Sequence, residues 1–427
     1  MKVLHINHTS HSGGAARAMQ RLHNELLEKG HQSKILAGQS GDNHLPSVFL
    51  IKNQTAPYRT GLDHLFSFLG EKYEKFFGIN SWARRDVLKL QESKLYQWAD
   101  LIDLRNVFGE YFNLWVLPQL SKKKPVVWRL PDPWALTGQC AYPYDCERWK
   151  NGCYDCPLLK GKGRLLFEPK PPTIWDGTRR VWTAKKKIYD RSKLHIIVTT
   201  QWMKNQVLSG LLQNALSVNV ISNGVGLDIF KPIERGKARK ELGLPQDEIV
   251  YLWAAGNLGV IRKGYPLVAK AIQQMQAKGE ELPFLITKGK KKKMAEKFPM
   301  IKGKHFGFVG DSRRQALLYS AADVFLCTTL ADGQPQTALE SMASGTPVVA
   351  YKVGPMPEIV HHGETGFLIP EKTVSSLREM MIRLMDEKDE LQAMRDRCRH
   401  QALMKYDLKK QTAAYVDLYS EILRTYS

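Results

Sequence analysis

The stretch DGQPQTALESMASGTPVVAYKVGPMPEIVHHGETGFLIP, from Asp332 to Pro370, says more about this chain than any other. An acid, Asp332, opens a glycine-containing turn, and a second acid, Glu340, follows after seven intervening residues. Gly345-Thr346-Pro347 then punctuates the chain before the apolar run Val348-Val349-Ala350. The order is loop, helix, glycine stop, buried strand. Such an order aims unpaired backbone N–H groups and the positive end of a helix dipole at an anion. A helix starting near Pro335 puts Glu340 about two turns in. A carboxylate at that depth is not a phosphate ligand; it suits hydroxyls such as those of a ribose. Asp332, ahead of the helix, suits a second hydroxylated group. Ribose, phosphate and sugar together describe a nucleotide sugar.

Toward the N-terminus, residues 249–255 read as an apolar strand followed by Gly256-Asn257-Leu258-Gly259-Val260-Ile261-Arg262-Lys263-Gly264. That loop is expected at the carboxyl edge of a sheet, where Arg262 and Lys263 supply the cations a departing diphosphate needs. Alternating elements continue, with a helix over 265–278, strands over 284–287, 306–309 and 324–328, a helix over 313–321 and mostly helix after 377. Ahead of this region, Asn223-Gly224-Val225-Gly226-Leu227-Asp228-Ile229-Phe230-Lys231-Pro232 reads as an interdomain linker from its Gly, Asn and Pro. The N-terminal half opens with a strand over 2–7, a polar loop from His8 to Gly14, a helix over 15–29 stopped by Gly30, and a strand over 32–37. This is the first βαβ unit of a doubly wound sheet, with Gly13 and Gly14 at its ligand end. Further strands are expected near 101–104, 126–128 and 195–199. Residues 42–95 are less regular and aromatic-rich, with Phe66, Phe68, Tyr73, Phe76, Phe77 and Trp82, and read as a helical insertion. A chain of 427 residues accommodates two domains of about 200 residues.

With these residues in view, the chain resembles the retaining GT-B glycosyltransferases, glycosyltransferase family 4 above all. Ala343-Ser344-Gly345-Thr346-Pro347-Val348-Val349 and Pro357-Glu358-Ile359-Val360 are similar to that family's A-x-G-x-P-V-V and P-E-I-V segments. The pair Asp332 and Glu340 is similar to its two-glutamate motif, with Asp in place of the first Glu. The linker is similar to its N-G-V-D-x-x-x-F-x-P hinge, and Lys263 matches the lysine of its R/K-K-G loop. Asn257 stands where the family often has an arginine. The resemblance implies an α/β GT-B fold, with two Rossmann-like doubly wound domains facing a central cleft. It implies an acceptor-side domain over 1–222, a donor-side domain over 223–406, and a C-terminal helix over 407–427 crossing back to the first domain. It further implies a retaining transfer from a UDP- or GDP-linked sugar to a glycan or lipid-linked acceptor, without a catalytic metal. Lys263 and Arg262 would hold the diphosphate, Glu340 the ribose and Asp332 the donor sugar. Gln336, Thr337, Asn257, Gly13 and Gly14 would complete the donor site. Pro131-Asp132-Pro133-Trp134-Ala135-Leu136-Thr137-Gly138-Gln139-Cys140 resembles a family stretch in which His precedes Asp. Here Pro131 replaces that His, and Asp132 is left to touch donor sugar or acceptor. Two other classes stand as alternatives: a GT-B-shaped phosphorylase or epimerase, which would use similar phosphate elements, and a membrane-associated scaffold that has lost activity, suggested by Asp332 and Pro131.

Four of the six cysteines fall in Cys140-x5-Cys146-x6-Cys153-x2-Cys156. Four thiolates in so short a window fit a tetrahedral structural zinc, with free thiols or an oxidised pair as the alternatives. No Ser-His-Asp set, Walker loop, H-E-x-x-H or G-x-G-x-x-G is present. The formal net charge is +21, with lysine runs at Lys122–Lys124, Lys185–Lys187 and Lys290–Lys293. Such runs attract anionic lipid headgroups, and no nucleic-acid-binding motif accompanies them. No apolar run reaches the length of a membrane span, and the opening residues lack the features of a signal peptide. The expectation is a cytoplasmic protein, peripheral at the inner face of the membrane.

Overall fold

The apolar runs of this chain become the strands of two parallel sheets. The computed structural model describes residues 1–10, 13–39, 46–55, 84–109, 111–159, 175–290 and 302–426. They divide into two units. The first runs from Met1 to Ser222 and takes up the chain again from Lys409; the second runs from Asn223 to Leu408. The aromatic residues Phe66, Phe68, Tyr73, Phe76, Phe77 and Trp82 lie outside the described residues, as do Lys291, Lys292 and Lys293.

In the first unit seven strands are ordered β3-β2-β1-β4-β5-β6-β7. They are β1 (Lys2–Thr9), β2 (Gln32–Gln39), β3 (Val48–Leu50), β4 (Leu101–Leu104), β5 (Val126–Arg129), β6 (Leu194–Val198) and β7 (Ser217–Val220). A parallel sheet is covered on both faces, so its central strands are apolar at successive positions rather than alternate ones. Leu4, Ile6, Ile102, Leu104, Val126 and Trp128 feed one core. Val3, Leu101, Val127 and Ile197 point the other way, onto Leu22 and Leu26 of α1 (Gly14–Glu28). The same face receives Tyr415, Leu418, Tyr419 and Ile422 of the last helix, Leu408–Tyr426. Toward the carboxyl ends of the strands this face turns polar. The buried Asp103 carboxylate is paired with His5 Nδ1 at 2.5 Å and Arg105 Nε at 2.6 Å, and Arg105 Nη1 donates to the Tyr415 hydroxyl at 3.2 Å. The C-terminal helix is thus tied to the first sheet by apolar packing at one end and a charge-assisted network at the other.

The second unit has six strands ordered β10-β9-β8-β11-β12-β13. They are β8 (Val250–Asn257), β9 (Phe284–Lys290), β10 (Gly303–His305), β11 (Val324–Cys327), β12 (Val348–Tyr351) and β13 (Gly366–Ile369). The strand expected over 306–309 is displaced: pairing with β9 is made by Gly303–His305, and 306–310 forms the loop beyond it. The linker joins this unit through a parallel bridge of Val225 with Asp407. The order reverses at β8, from which the chain builds outward on both sides. The switch point therefore lies at the carboxyl ends of β8 and β11, the usual ligand position of such sheets.

Candidate functional site

Two loops of the second unit meet at that switch point. The loop after β8 closes in a single turn, Ile261–Lys263, and ends at Gly264 with φ +84°. Only glycine fits there, because a Cβ would stand 2.0 Å from the Thr328 carbonyl oxygen. The backbone is then zipped to the loop after β11. Leu330 N donates to Arg262 O at 2.8 Å, and the Thr328 hydroxyl reaches Lys263 O at 3.3 Å. Side chains complete the join. Lys263 Nζ donates to Asp332 Oδ2 at 2.5 Å, and Arg262 Nη1 donates to Ala331 O at 2.6 Å and to Asp332 Oδ2 at 3.3 Å. Gly333 N donates to Asp332 Oδ1 at 3.0 Å. Burial alone would push the Asp332 carboxyl up. The charges of Lys263 and Arg262, with the hydrogen bonds from Lys263 and Gly333, outweigh burial and hold it below its ordinary value.

Beyond Pro335, which caps it, α2 (Gln336–Ala343) begins. Glu340 is its fifth residue, so it lies just over one turn in, nearer the start than the sequence reading placed it. Its side chain is buried, and Tyr319 donates its hydroxyl to Glu340 Oε2 at 3.1 Å. Gln336 donates to Gly224 O at 3.0 Å, and Gln334 accepts from Asn223 N at 2.7 Å, so the linker and the acid-bearing loop are held together. Thr337 stands half-buried in the first turn of α2. Asn257 Oδ1 accepts from Gly259 N at 2.8 Å and shapes its own loop. Lys263, Arg262, Asp332 and Glu340 thus share one edge of one sheet.

The remaining candidates belong to the first unit. Gly13, φ +91°, caps α1, and a Cβ on Gly13 or Gly14 would meet nothing within 4 Å. Asp132 Oδ1 accepts from Trp134 N at 2.9 Å and caps the turn Pro133–Leu136 beyond β5. Lys185 contradicts its reading as one of three surface lysines. It is fully buried, with Nζ 3.7 Å from the Trp134 ring centroid, and donates to Trp134 O at 2.6 Å and Thr137 O at 2.9 Å. Its aliphatic periodicity on helix Thr178–Tyr189, between Val181 and Ile188, turns it inward. Burial brings its ammonium down to about 7, despite the opposing pull of Cys140, Cys153 and Asp132.

All four cysteines of the window are free thiols. Burial pushes Cys140 up to about 12 and Cys153 up to about 11, and the neighbouring sulfurs add to each shift. Gly138 N donates to Cys153 Sγ at 3.1 Å. Tyr144, Cys153 and Asp155 carry positive φ of 53°, 45° and 50°, a left-handed conformation uncommon for residues with a Cβ. The thiols share a neighbourhood, but among the described residues no group of three or more His, Cys, Asp or Glu is placed to hold a metal ion. No helix among the described residues is long and apolar enough to cross a membrane.

Residues 250–387, from β8 through the helix Val374–Asp386, match the family model Glycosyl transferases group 1. The chain is 24% identical over 375 residues to the putative colanic acid biosynthesis glycosyl transferase WcaC of Escherichia coli K12, covering 82% of this chain and 83% of that protein. It is 22% identical over 214 residues to N-acetyl-alpha-D-glucosaminyl L-malate synthase of Bacillus anthracis, a match spanning 48% of this chain and 54% of that protein. In structure it is similar to Anabaena HepE in complex with UDP and glucose, with a TM-score of 0.68 at 16% identity, over 99% of this chain and 100% of HepE. The fold is GT-B: two Rossmann-like units, each a parallel sheet clad in helices. The domain match and the fold together support a GT-B glycosyltransferase.

Sequence reasoning missed Tyr319, which reaches Glu340 from another helix, and the hold of Arg262 on the Ala331 carbonyl. Neither leaves a local motif, since each pair is brought together only by the crossing of β8, β11 and α2.

Proposed function

We propose that the protein is a retaining glycosyltransferase that moves a sugar from a nucleotide diphosphate sugar to a hydroxyl of a glycan or lipid-linked acceptor. The observation that carries this reading is the Lys263–Arg262–Asp332 cluster at the edge of the second sheet, with Glu340 one turn into the next helix. A lysine ammonium has three donors, and Lys263 directs one at Asp332. The others, with Arg262, suit the oxygens of a diphosphate whose negative charge grows as its bond to the sugar breaks. Glu340 accepts from the ribose hydroxyls, and Asp332 accepts from hydroxyls of the donor sugar. The half-buried first turn of α2, at Gln336 and Thr337, lies alongside the phosphates, with Asn257 shaping the facing loop. In the first unit, Gly13 and Gly14 are the candidates for donor contact and Asp132 the candidate for sugar or acceptor contact.

The C1–O bond to the diphosphate breaks on the face from which the acceptor oxygen enters. A leaving phosphate oxygen takes the acceptor proton. Configuration is retained, and no protein nucleophile or catalytic metal is called for. The colanic acid role of WcaC supports a polysaccharide or glycolipid product, and the UDP in HepE supports a UDP-linked donor, with GDP the alternative. The test is a panel of UDP- and GDP-sugars read by thermal shift and then by transfer, with the anomeric configuration of the product assigned by NMR. No shift with any nucleotide sugar, or an inverted product, overturns the reading.

Two accompanying proposals concern partners. A structural zinc gathered by Cys140, Cys146, Cys153 and Cys156 is supported by the shared neighbourhood of the thiols and by backbone N–H donors at Cys153 and Cys156. Binding would draw the sulfurs into a tetrahedron. Peripheral docking on an anionic membrane at the inner face of the cytoplasmic membrane is supported by exposed cations. Lys122 and Lys123 end one helix of the first unit, and Arg179, Arg180, Lys186 and Lys187 line the exposed side of the helix packed beside it.

A further inference from the structure

Tyr319 lies on the helix Ser312–Ala321 of the second unit. It is 1% exposed, and its ring meets Phe325 edge-on at 5.5 Å and Phe230 at 6.3 Å. Its carbonyl oxygen accepts from the Thr346 hydroxyl at 2.7 Å, which fixes it to the turn that ends α2. The Lys288 ammonium stands 5.9 Å from the ring centroid and is itself held by Gln315 at 2.6 Å. A ring packed on these sides has one place for its hydroxyl, and that hydroxyl meets Glu340 Oε2. Burial first, then the charge and hydrogen bond of Glu340, raise the phenol well above its ordinary value. It therefore stays a proton donor throughout the working pH range.

We propose that Tyr319 is the positioning residue of Glu340: by holding Oε2, it sets the carboxylate at the angle that accepts ribose hydroxyls. The proposal rests on the nucleotide-sugar reading of the same site. A glutamate on a helix has three rotatable side-chain torsions, and a carboxylate that must accept from a diol in one geometry gains from having them fixed beforehand. The sequence separates the two residues by 21 positions.

The test is Tyr319→Phe, which keeps the packed ring and removes only the hydroxyl. UDP and GDP are titrated calorimetrically against wild type and variant, each beside its 2′,3′-dideoxy counterpart. Wild type is expected to prefer the hydroxylated nucleotide by about tenfold or more, the factor given by a hydrogen bond to a charged group. In Tyr319→Phe that ratio is expected to fall below about threefold, and Glu340→Gln/Tyr319→Phe is expected to lower it no further than Glu340→Gln alone. A purely structural role would weaken both nucleotides alike and leave the ratio unchanged, and that result overturns the proposal. A wild type that binds neither UDP nor GDP overturns the donor reading instead. A wild type that binds one of them without preferring the hydroxylated form removes the ribose role of Glu340, and with it that of Tyr319.

Discussion

Replacing Asp332 by Asn is expected to have two effects that separate cleanly. Asp332 is 9% exposed, and its carboxylate receives Lys263 at 2.5 Å, Arg262 at 3.3 Å and Gly333 N at 3.0 Å. An amide keeps one acceptor oxygen but sets an NH2 group among donors and removes the charge that balances two cations. Breaking a fully buried ion pair costs about 3–5 kcal/mol. Here the Lys263 and Arg262 side chains remain 27% and 20% exposed, so water recovers part of the loss. The expected cost is about 1–3 kcal/mol, which lowers the urea midpoint of the second unit by roughly 1 M at common slopes. The pH dependence follows from the depressed carboxyl. Its stabilisation is fully present above the ordinary value of 3.8 and is lost as pH falls through the lower folded-state value. Urea titrations of both proteins should therefore run parallel from pH 8 to about pH 5 and converge below about pH 4. Transfer at pH 7 should fall about a hundredfold, since a sugar hydroxyl loses its charged acceptor. Equal midpoints at pH 7, or a gap that persists undiminished at pH 3, would refute the argument that Lys263 and Arg262 hold Asp332 ionised.

Lys263→Ala and Glu340→Gln should each remain folded and lose about a hundredfold in transfer rate; turnover near wild type in either removes that residue from the site. If the cysteine window holds a structural ion, elemental analysis should find about one zinc per chain. Protein purified without chelator that contains none, with all four thiols titratable, rules the ion out. Sedimentation with vesicles should show binding to anionic lipid, weak binding to neutral lipid, and release at high salt as the Debye length shortens from about 10 Å toward 3 Å. Charge reversal at Lys122, Lys123, Lys186 and Lys187 should weaken that binding, whereas reversal at Lys185 is expected to unfold the loop it supports. Equal partitioning onto both vesicle types defeats the electrostatic mechanism.

Much of the fold was legible because both sheets are parallel and covered. Runs such as Val324–Cys327 and Val348–Tyr351 are apolar along their length and spaced by helix-length segments. That pattern has few structural solutions. The short edge strands Val48–Leu50 and Gly366–Ile369 were not read, and Gly303–His305 was read a few residues late. Three or four residues leave too little periodicity to distinguish a strand from a loop, and their pairing is chosen by the neighbouring strand. Lys185 was misread for a related reason. A run of lysines looks like a solvated face until the helix is docked, and docking turned its first member toward two backbone carbonyls and a tryptophan ring.

The sequence by itself determined the alternation of strands and helices, the glycine at 264 that opens a helix, the placing of Lys263 and Asp332 in loops beyond strands, and that of Glu340 inside a helix. These follow from local chemistry: periodicity, backbone freedom, and the order of loop and helix along the chain. Only the tertiary structure decided that Lys263 and Arg262 converge on Asp332 across about 70 residues, that Tyr319 meets Glu340, and that Arg105 meets Tyr415 of the last helix. Each of these contacts joins elements whose spacing in the chain carries no information about their distance. The crossover connections of a parallel sheet bring them together, and the low exposure at each junction gives a hydrogen bond there its weight.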